Sequence, residues 1–134
     1  IRTGDGDDAL AAMGGTNVLD GGGGSNFLTG GFGQDTFFLD VRAAAEDVWS
    51  TITNLQGGDA VTVWGISQAG FKLDWADGQG AAGATGLTLH ASATGHPTAS
   101  LTLQGFTTAA FSNGTLALSF GNVDGADYLY IKAN

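Results

Sequence analysis

Four side chains that carry oxygen atoms recur at intervals of nine residues near the start of the chain: Asp8, Asn17, Asn26 and Asp35. Carboxylate and amide oxygens are hard ligands of the kind that calcium prefers, whereas zinc or copper would favour histidine or cysteine, and the chain has no cysteine. A fold that brings these side chains together with backbone carbonyls would form a cage of oxygen atoms. The spacing therefore predicts a calcium site built from repeats.

The nine-residue interval belongs to four repeats that stay in phase: TGDGDDALA (3–11), AMGGTNVLD (12–20), GGGGSNFLT (21–29) and GGFGQDTFF (30–38). The fourth position is always glycine, the sixth is Asp or Asn, and the eighth is Leu or Phe. A flexible linker rich in glycine and aspartate is the alternative for such a composition. Three matched columns over four repeats favour a regular structure instead.

Each column has a physical meaning. Glycine permits a tight turn over positions one to six whose carbonyls point inward, and positions seven to nine form a short strand whose eighth side chain faces the interior. Two repeats make one coil, and successive coils stack about 4.8 Å apart. Two stacked pairs are therefore predicted in the interior, Leu10 over Leu28 and Leu19 over Phe37.

The same stacking places the sixth-position side chains along two edges of the coil. Asp8 is predicted to lie near Asn26 on one edge, and Asn17 near Asp35 on the other. Turn carbonyls would complete each cage. The predicted backbone contributors are the second- and fourth-position glycines, Gly4, Gly6, Gly15, Gly22, Gly24, Gly31 and Gly33.

The repeats resemble the GGxGxDxUx nonapeptides of the RTX (repeats-in-toxin, hemolysin-type) family. The resemblance covers about residues 3–40 and implies a parallel β-roll with calcium between its turns, at the C-terminal side of bacterial proteins exported by type I secretion. Thr3-Gly4 and Ala12-Met13 depart from the leading glycine pair, and Asn17 and Asn26 replace aspartate. Each predicted cage then holds one Asp and one Asn, so we expect weaker calcium binding than in an all-aspartate roll.

The segment after the repeats resembles the stretch that closes the roll in this family, through Asp47, Ile52, Leu55 and Gly58-Asp59. The resemblance implies that Asp40 and Asp47 cap the last calcium site, although each could equally be a solvated turn residue. It also implies that residues 127–134 belong to an uncleaved secretion signal.

Beyond the repeats, apolar residues alternate with polar ones in several short runs that are typical of antiparallel strands. Asn113-Gly114 lies between two of these runs and predicts a hairpin. The expected fold is all-β, with a short parallel β-roll at residues 1–40 and an antiparallel, sandwich-like capping region at residues 41–134. The repeats begin at Thr3 without a preceding segment, which favours a fragment of a longer chain.

Composition excludes several classes of function. The 134 residues include 13 acidic and 4 basic side chains, a net charge of −9, which argues against nucleic acid as a partner. No apolar run approaches the roughly 20 residues of a membrane span, and no cleaved signal peptide is evident. No spacing typical of a catalytic triad or a metalloprotease occurs, so we expect no enzyme activity in this chain.

The sequence therefore predicts a secreted, extracellular bacterial module that folds when calcium binds and that is exported by type I secretion machinery. The alternative is a carbohydrate-binding or adhesive module that holds polysaccharide on exposed aromatic rings. That hypothesis rests on five aromatic residues and two nearby carboxylates, Trp49, Trp64, Trp75, Tyr128, Tyr130, Asp74 and Asp77.

Overall fold

The computed structural model describes residues 1–134 as two facing β-sheets and one short helix. In chain order the elements are β1 (Ala9–Ala11), β2 (Asn17–Asp20), β3 (Phe27–Thr29), β4 (Asp35–Asp40), β5 (Val48–Thr53), β6 (Ala60–Trp64), β7 (Lys72–Gln79), β8 (Gly86–Ala93), β9 (His96–Gln104), α1 (Ala109–Ser112), β10 (Leu116–Val123) and β11 (Ala126–Ala133). The prediction of an all-β fold is confirmed. No helix has the length and apolar character needed to cross a membrane.

The first six strands alternate between the two sheets. The first sheet has the order β1-β3-β5-β9-β8-β7, and the second has the order β10-β11-β6-β4-β2. Strands β1, β3 and β5 pair in parallel, as do β2, β4 and β6. The chain thus winds through three coils. Strand β9 then pairs in parallel with β5, and β8 and β7 extend the first sheet with antiparallel pairing. In the second sheet β11 and β10 are added with antiparallel pairing.

The register of the parallel strands is the one that the repeats predict. Leu10 pairs with Leu28, and Leu19 pairs with Phe37. The coil then continues past the last repeat, because Leu28 pairs with Ile52 and Phe37 pairs with Val61.

These side chains form two rows that run across the sheets and meet in one core. In the first sheet the row continues from Ile52 to Leu103 and Leu87, and in the second it continues from Val61 to Ile131. All of these residues are buried, and they belong to one hydrophobic core that spans the chain from Leu10 to Ala133. The sheets and the core therefore run without a break across the predicted boundary at residue 40.

The prediction of antiparallel structure from residue 41 onward is wrong for β5 and β6, which join the parallel stacks, and for β9, which pairs in parallel with β5. Their sequences alternate in the same way as an antiparallel strand would, because side-chain period does not distinguish the two pairings. Antiparallel pairing holds for β7 with β8, β8 with β9, and β11 with both β10 and β6.

The hairpin predicted at Asn113-Gly114 is also wrong. These residues follow α1 in the connection from β9 to β10, and those two strands lie in different sheets. Gly114 does adopt a positive φ of 81°, so the dipeptide marks a turn without joining paired strands. The hairpin between β10 and β11 turns instead at Asp124 and Gly125, which have φ values of 50° and 82° and suit a type I′ turn.

All four fourth-position glycines have a positive φ, and in the third and fourth repeats the close stacking of the turns adds a second reason for glycine. A Cβ atom added at Gly22 or Gly24 would overlap the carbonyl oxygen of Gly4 or Gly6 in the turn below, and one added at Gly33 would overlap that of Gly15. Backbone is in direct contact with backbone at these points, and no side chain can be accommodated.

Two second-position glycines allow this packing to be tested without any change in backbone preference. Neither Gly31 nor Gly4 has a positive φ, but a Cβ at Gly31 would overlap the carbonyl of Met13, whereas one at Gly4 would contact nothing within 4 Å. We expect Gly31→Ala to lower the free energy of unfolding by about 2–3 kcal/mol, because backbone atoms must move apart. Gly4→Ala is the matched control and should change it by less than about 0.5 kcal/mol. Equal urea midpoints for the two variants would contradict the stacking explanation.

Candidate metal site at the turn edges

The sixth-position residues form a ladder of hydrogen bonds from side chain to backbone. The amide N–H of Asp8 donates to Oδ1 of Asn26 at 3.0 Å, and the N–H of Asn26 donates to Oγ of Ser50 at 3.0 Å. On the opposite edge the N–H of Asp35 donates to Oδ1 of Asp59 at 2.8 Å. The side chains of Asn26, Ser50 and Asp59 thus fix the backbone of the previous turn on their own edge, whereas the N–H of Asn17 donates to the carbonyl of Gln34.

Asn17 adds a side-chain contact to this second edge. Its Nδ2 donates to the carbonyl oxygens of Gly14 and Gly15, both at 3.2 Å, and to Oδ1 of Asp35 at 2.8 Å. The predicted proximity of Asn17 to Asp35 is therefore found, as is that of Asp8 to Asn26.

Asn26 behaves in the same way within its own turn. Its Nδ2 donates to the carbonyls of Gly23 at 3.0 Å and Gly24 at 3.5 Å. The predicted ligand carbonyls Gly15 and Gly24 are thus occupied by an amide of the protein.

The turns with aspartate at the sixth position differ. In the first turn the carbonyls of Gly4 and Gly6 accept no hydrogen bond from the protein, and neither does the carboxylate of Asp8. In the fourth turn the carbonyl of Gly33 is similarly free. Oxygen atoms that remain available are the ligands that calcium requires, so the aspartate turns fit a calcium ion better than the asparagine turns do.

Asp35 and Asp59 are the most buried carboxylates of the chain, with 1% and 0% of their surface exposed. Asp35 accepts hydrogen bonds from Asn17 and from the N–H of Gly31, and Asp59 accepts from the N–H groups of Asp35 and Gln56. Neither has a cationic side chain within salt-bridge distance. Burial of two adjacent carboxylates without a counter-charge is costly, and a bound cation would offset that cost.

The other predicted glycine ligands have partners in the protein. The carbonyl of Gly22 accepts the N–H of Asp40 at 2.9 Å, and that of Gly31 accepts the side-chain amide of Asn54 at 3.3 Å.

Asp40 and Asp47, the predicted capping ligands, border a cleft of about 590 Å³ beside the first and third turns. The Arg42 guanidinium hydrogen-bonds to the Asp40 carboxylate at 2.6 Å and holds the pKa of that carboxyl below its ordinary value. Oδ1 of Asp47 accepts the N–H of Thr98 at 2.7 Å. Asp40 therefore already has a positive partner, and Asp47 ties the turn to β9.

The predicted aromatic platform is divided among three places. Trp49 lies on the outer face of the first sheet, where its Nε1 donates to Oγ1 of Thr102 at 2.9 Å. Trp75 packs edge-on against Phe111 at 4.9 Å beside the core. Only Trp64, Tyr128 and Tyr130 share a face, on the outer side of the second sheet. The five residues do not form a single surface.

Asp59 and Ser50 belong to the ladder but were not among the predicted site residues, since Asp59 entered only through the closing segment. Aligned on Val61, the segment NLQGGDAVT (54–62) matches three columns of the nonapeptide, with glycine at the fourth position, aspartate at the sixth and valine at the eighth. A six-residue increase in spacing hides this fifth repeat, because Phe37 and Val61 are 24 residues apart whereas Leu19 and Phe37 are 18 apart.

No three carboxylate or histidine side chains converge on one point, so an ion at these edges would depend on carbonyl and amide oxygens as well. Comparison with protein-family models, with curated proteins and with solved structures finds no match to this chain. The resemblance to RTX repeats therefore rests on the residues and their spacing.

Asp59 offers a test of the ladder that does not depend on metal. We expect Asp59→Ala to lower the free energy of unfolding by at least about 2 kcal/mol in chelator, because two backbone N–H groups lose their acceptors. Asp74→Ala is the control, since Asp74 is exposed and pairs only with Lys72 at 3.6 Å. Thermal unfolding followed by circular dichroism measures both. A variant at Asp59 as stable as the control would contradict a structural role for the ladder.

Proposed function

We propose that this chain is a calcium-binding module that completes its folding after export from a bacterial cell by type I secretion. The observation that carries the proposal is the set of oxygen atoms without a donor in the two aspartate turns, in repeats that resemble those of the RTX family. These atoms are the carbonyls of Gly4, Gly6 and Gly33 and the carboxylate of Asp8. The buried pair of Asp35 and Asp59 supports it, since that pair has no cationic partner in the protein.

The role of calcium in this proposal is conformational and not catalytic. Free calcium is low inside a bacterium and is around millimolar in many extracellular media. A site with a dissociation constant of roughly 10⁻⁴ M contributes about 1.4 kcal/mol at millimolar calcium and almost nothing inside the cell. Two such sites would stabilise the folded coil further only outside, where the net charge of −9 is also partly neutralised.

The position of β11 bears on the proposed secretion signal at residues 127–134. This strand pairs with β10 on one side and with β6 on the other, and Leu129 and Ile131 are buried. In the folded chain both backbone edges of this strand are paired, and its buried apolar side chains face the core. The secretion machinery would therefore have to recognise this segment before the chain folds, which fits export of an unfolded chain.

The test compares far-UV circular dichroism of the chain in chelator with that in millimolar calcium. We expect calcium to increase the β signal and to raise the melting temperature, because it binds the folded coil and not the unfolded chain. Magnesium should substitute poorly, since it requires a tight octahedral shell. Identical spectra and melting temperatures with and without calcium would overturn the proposal.

Single-site variants locate the effect. We expect Asp35→Ala to raise the calcium midpoint for folding about tenfold or more, and Asp8→Ala to raise it less, because Asp35 is buried between two turns whereas Asp8 lies in the first. Asp74→Ala again serves as the control for loss of one negative charge. If Asp35→Ala and Asp74→Ala titrate alike, Asp35 is not a ligand.

The alternative is a polysaccharide-binding surface, and one observation favours keeping it. Phe38, Trp64, Tyr128 and Tyr130 point outward from adjacent strands of the second sheet, and all are half-buried. Trp64 packs edge-on against Tyr128 at 5.2 Å, with the Arg42 guanidinium 5.5 Å from the Trp64 ring. Rings on one face, with polar neighbours, are suited to stacking against sugars.

The glycan hypothesis predicts that Tyr130→Ala weakens retention on a polysaccharide affinity column while the calcium response of the fold is unchanged. Trp75→Ala is the control, because Trp75 packs against Phe111 and lies elsewhere. If no polysaccharide in a broad screen retains the parent chain, the hypothesis is rejected.

A further inference from the structure

We propose that the side-chain amides of Asn17 and Asn26 act as internal substitutes for a cation, so that these two turns are closed without metal. The inference deepens the proposed function, since it assigns calcium to the aspartate turns alone. It rests on the contacts of the two amide nitrogens.

The amide nitrogen of Asn17 contacts three oxygen atoms, as a small bound cation would. Its Nδ2 lies 2.8 Å from Oδ1 of Asp35 and 3.2 Å from each of the carbonyl oxygens of Gly14 and Gly15. One ligand belongs to the next turn on the same edge, and two belong to the turn of Asn17 itself. The amide protons thus neutralise three oxygen atoms that would otherwise face one another.

The orientation of both amides is fixed by their partners. A flipped Asn17 would place its own oxygen against three acceptors, none of which can donate. Asn26 is fixed twice, because Oδ1 accepts the N–H of Asp8 while Nδ2 faces the carbonyls of Gly23 and Gly24.

An aspartate at the same position would reverse this arrangement. A carboxylate at residue 17 would present a fourth oxygen to Gly14, Gly15 and Asp35, and two negative charges would face each other across the turn. Such a group of oxygens is destabilising when empty and binds a divalent cation when one is available. Asn17→Asp therefore tests the role of the amide. If the amide replaces a cation, the variant should be less stable without metal and should bind calcium.

The experiment measures melting temperature and calcium stoichiometry for the parent chain, Asn17→Asp and Asn17→Ala. In chelator we expect both variants to melt at least about 5 °C lower than the parent. In millimolar calcium, Asn17→Asp should recover and should bind one more calcium ion than the parent by calorimetric titration. For Asn17→Ala, calcium should raise the melting temperature by no more than it does for the parent.

Asn113→Asp is the matched control for the added charge. Asn113 is exposed, its Oδ1 accepts the N–H of Thr115, and its amide nitrogen donates to nothing in the protein. This variant should melt within about 2 °C of the parent in both conditions.

The outcomes separate this inference from the proposed function. If calcium neither binds the parent nor changes its melting temperature, while Asn17→Asp binds one calcium ion, the role of the amide is supported and the proposed function fails. If the parent responds but calcium restores Asn17→Asp no more than Asn17→Ala, the inference is overturned and the proposed function stands. An Asn17→Asp chain as stable as the parent in chelator also overturns the inference.

Discussion

The close stacking of successive turns is the constraint on which the rest of the structure depends. Parallel strands lie about 4.8 Å apart, and the turns that join them must keep the same spacing. At Gly22, Gly24, Gly31 and Gly33 this brings backbone against backbone, with no space for a Cβ atom. The turns therefore leave their carbonyl oxygens at the edge of the coil, where an amide of the protein or a cation can bind them.

The turns differ in how their carbonyl oxygens are bound. Where the sixth residue is asparagine, its amide protons bind the turn carbonyls. Where it is aspartate, the fourth-position carbonyl stays free and the carboxylate adds negative charge. Both residue types can accept the N–H of the previous turn, as Asn26 does from Asp8 and Asp59 does from Asp35. Replacing Asp with Asn changes the charge at the edge while leaving the stacking intact.

The repeat columns predicted the coil because each column has a distinct physical cause. The apolar eighth position predicted the register of Leu10 with Leu28 and of Leu19 with Phe37. The nine-residue spacing of the sixth position predicted the neighbours along both edges. The continuation to Ile52 and Val61 was not predicted, because six additional residues break the phase before Asp59. Pairing direction in β5 and β6 could not be read from alternation, which parallel and antiparallel strands share. The Asn113-Gly114 turn has a local conformation that suits a hairpin, but the choice of sheet for β9 and β10 is made by long-range packing.

The most direct test of this account is a crystal structure of the chain grown in calcium, with the ions located by their anomalous scattering. We expect density at the turns of Asp8 and Asp35, next to the carbonyls of Gly6 and Gly33, and none at the amides of Asn17 and Asn26. Ions found at the asparagine turns, or no ion at either aspartate turn, would contradict it.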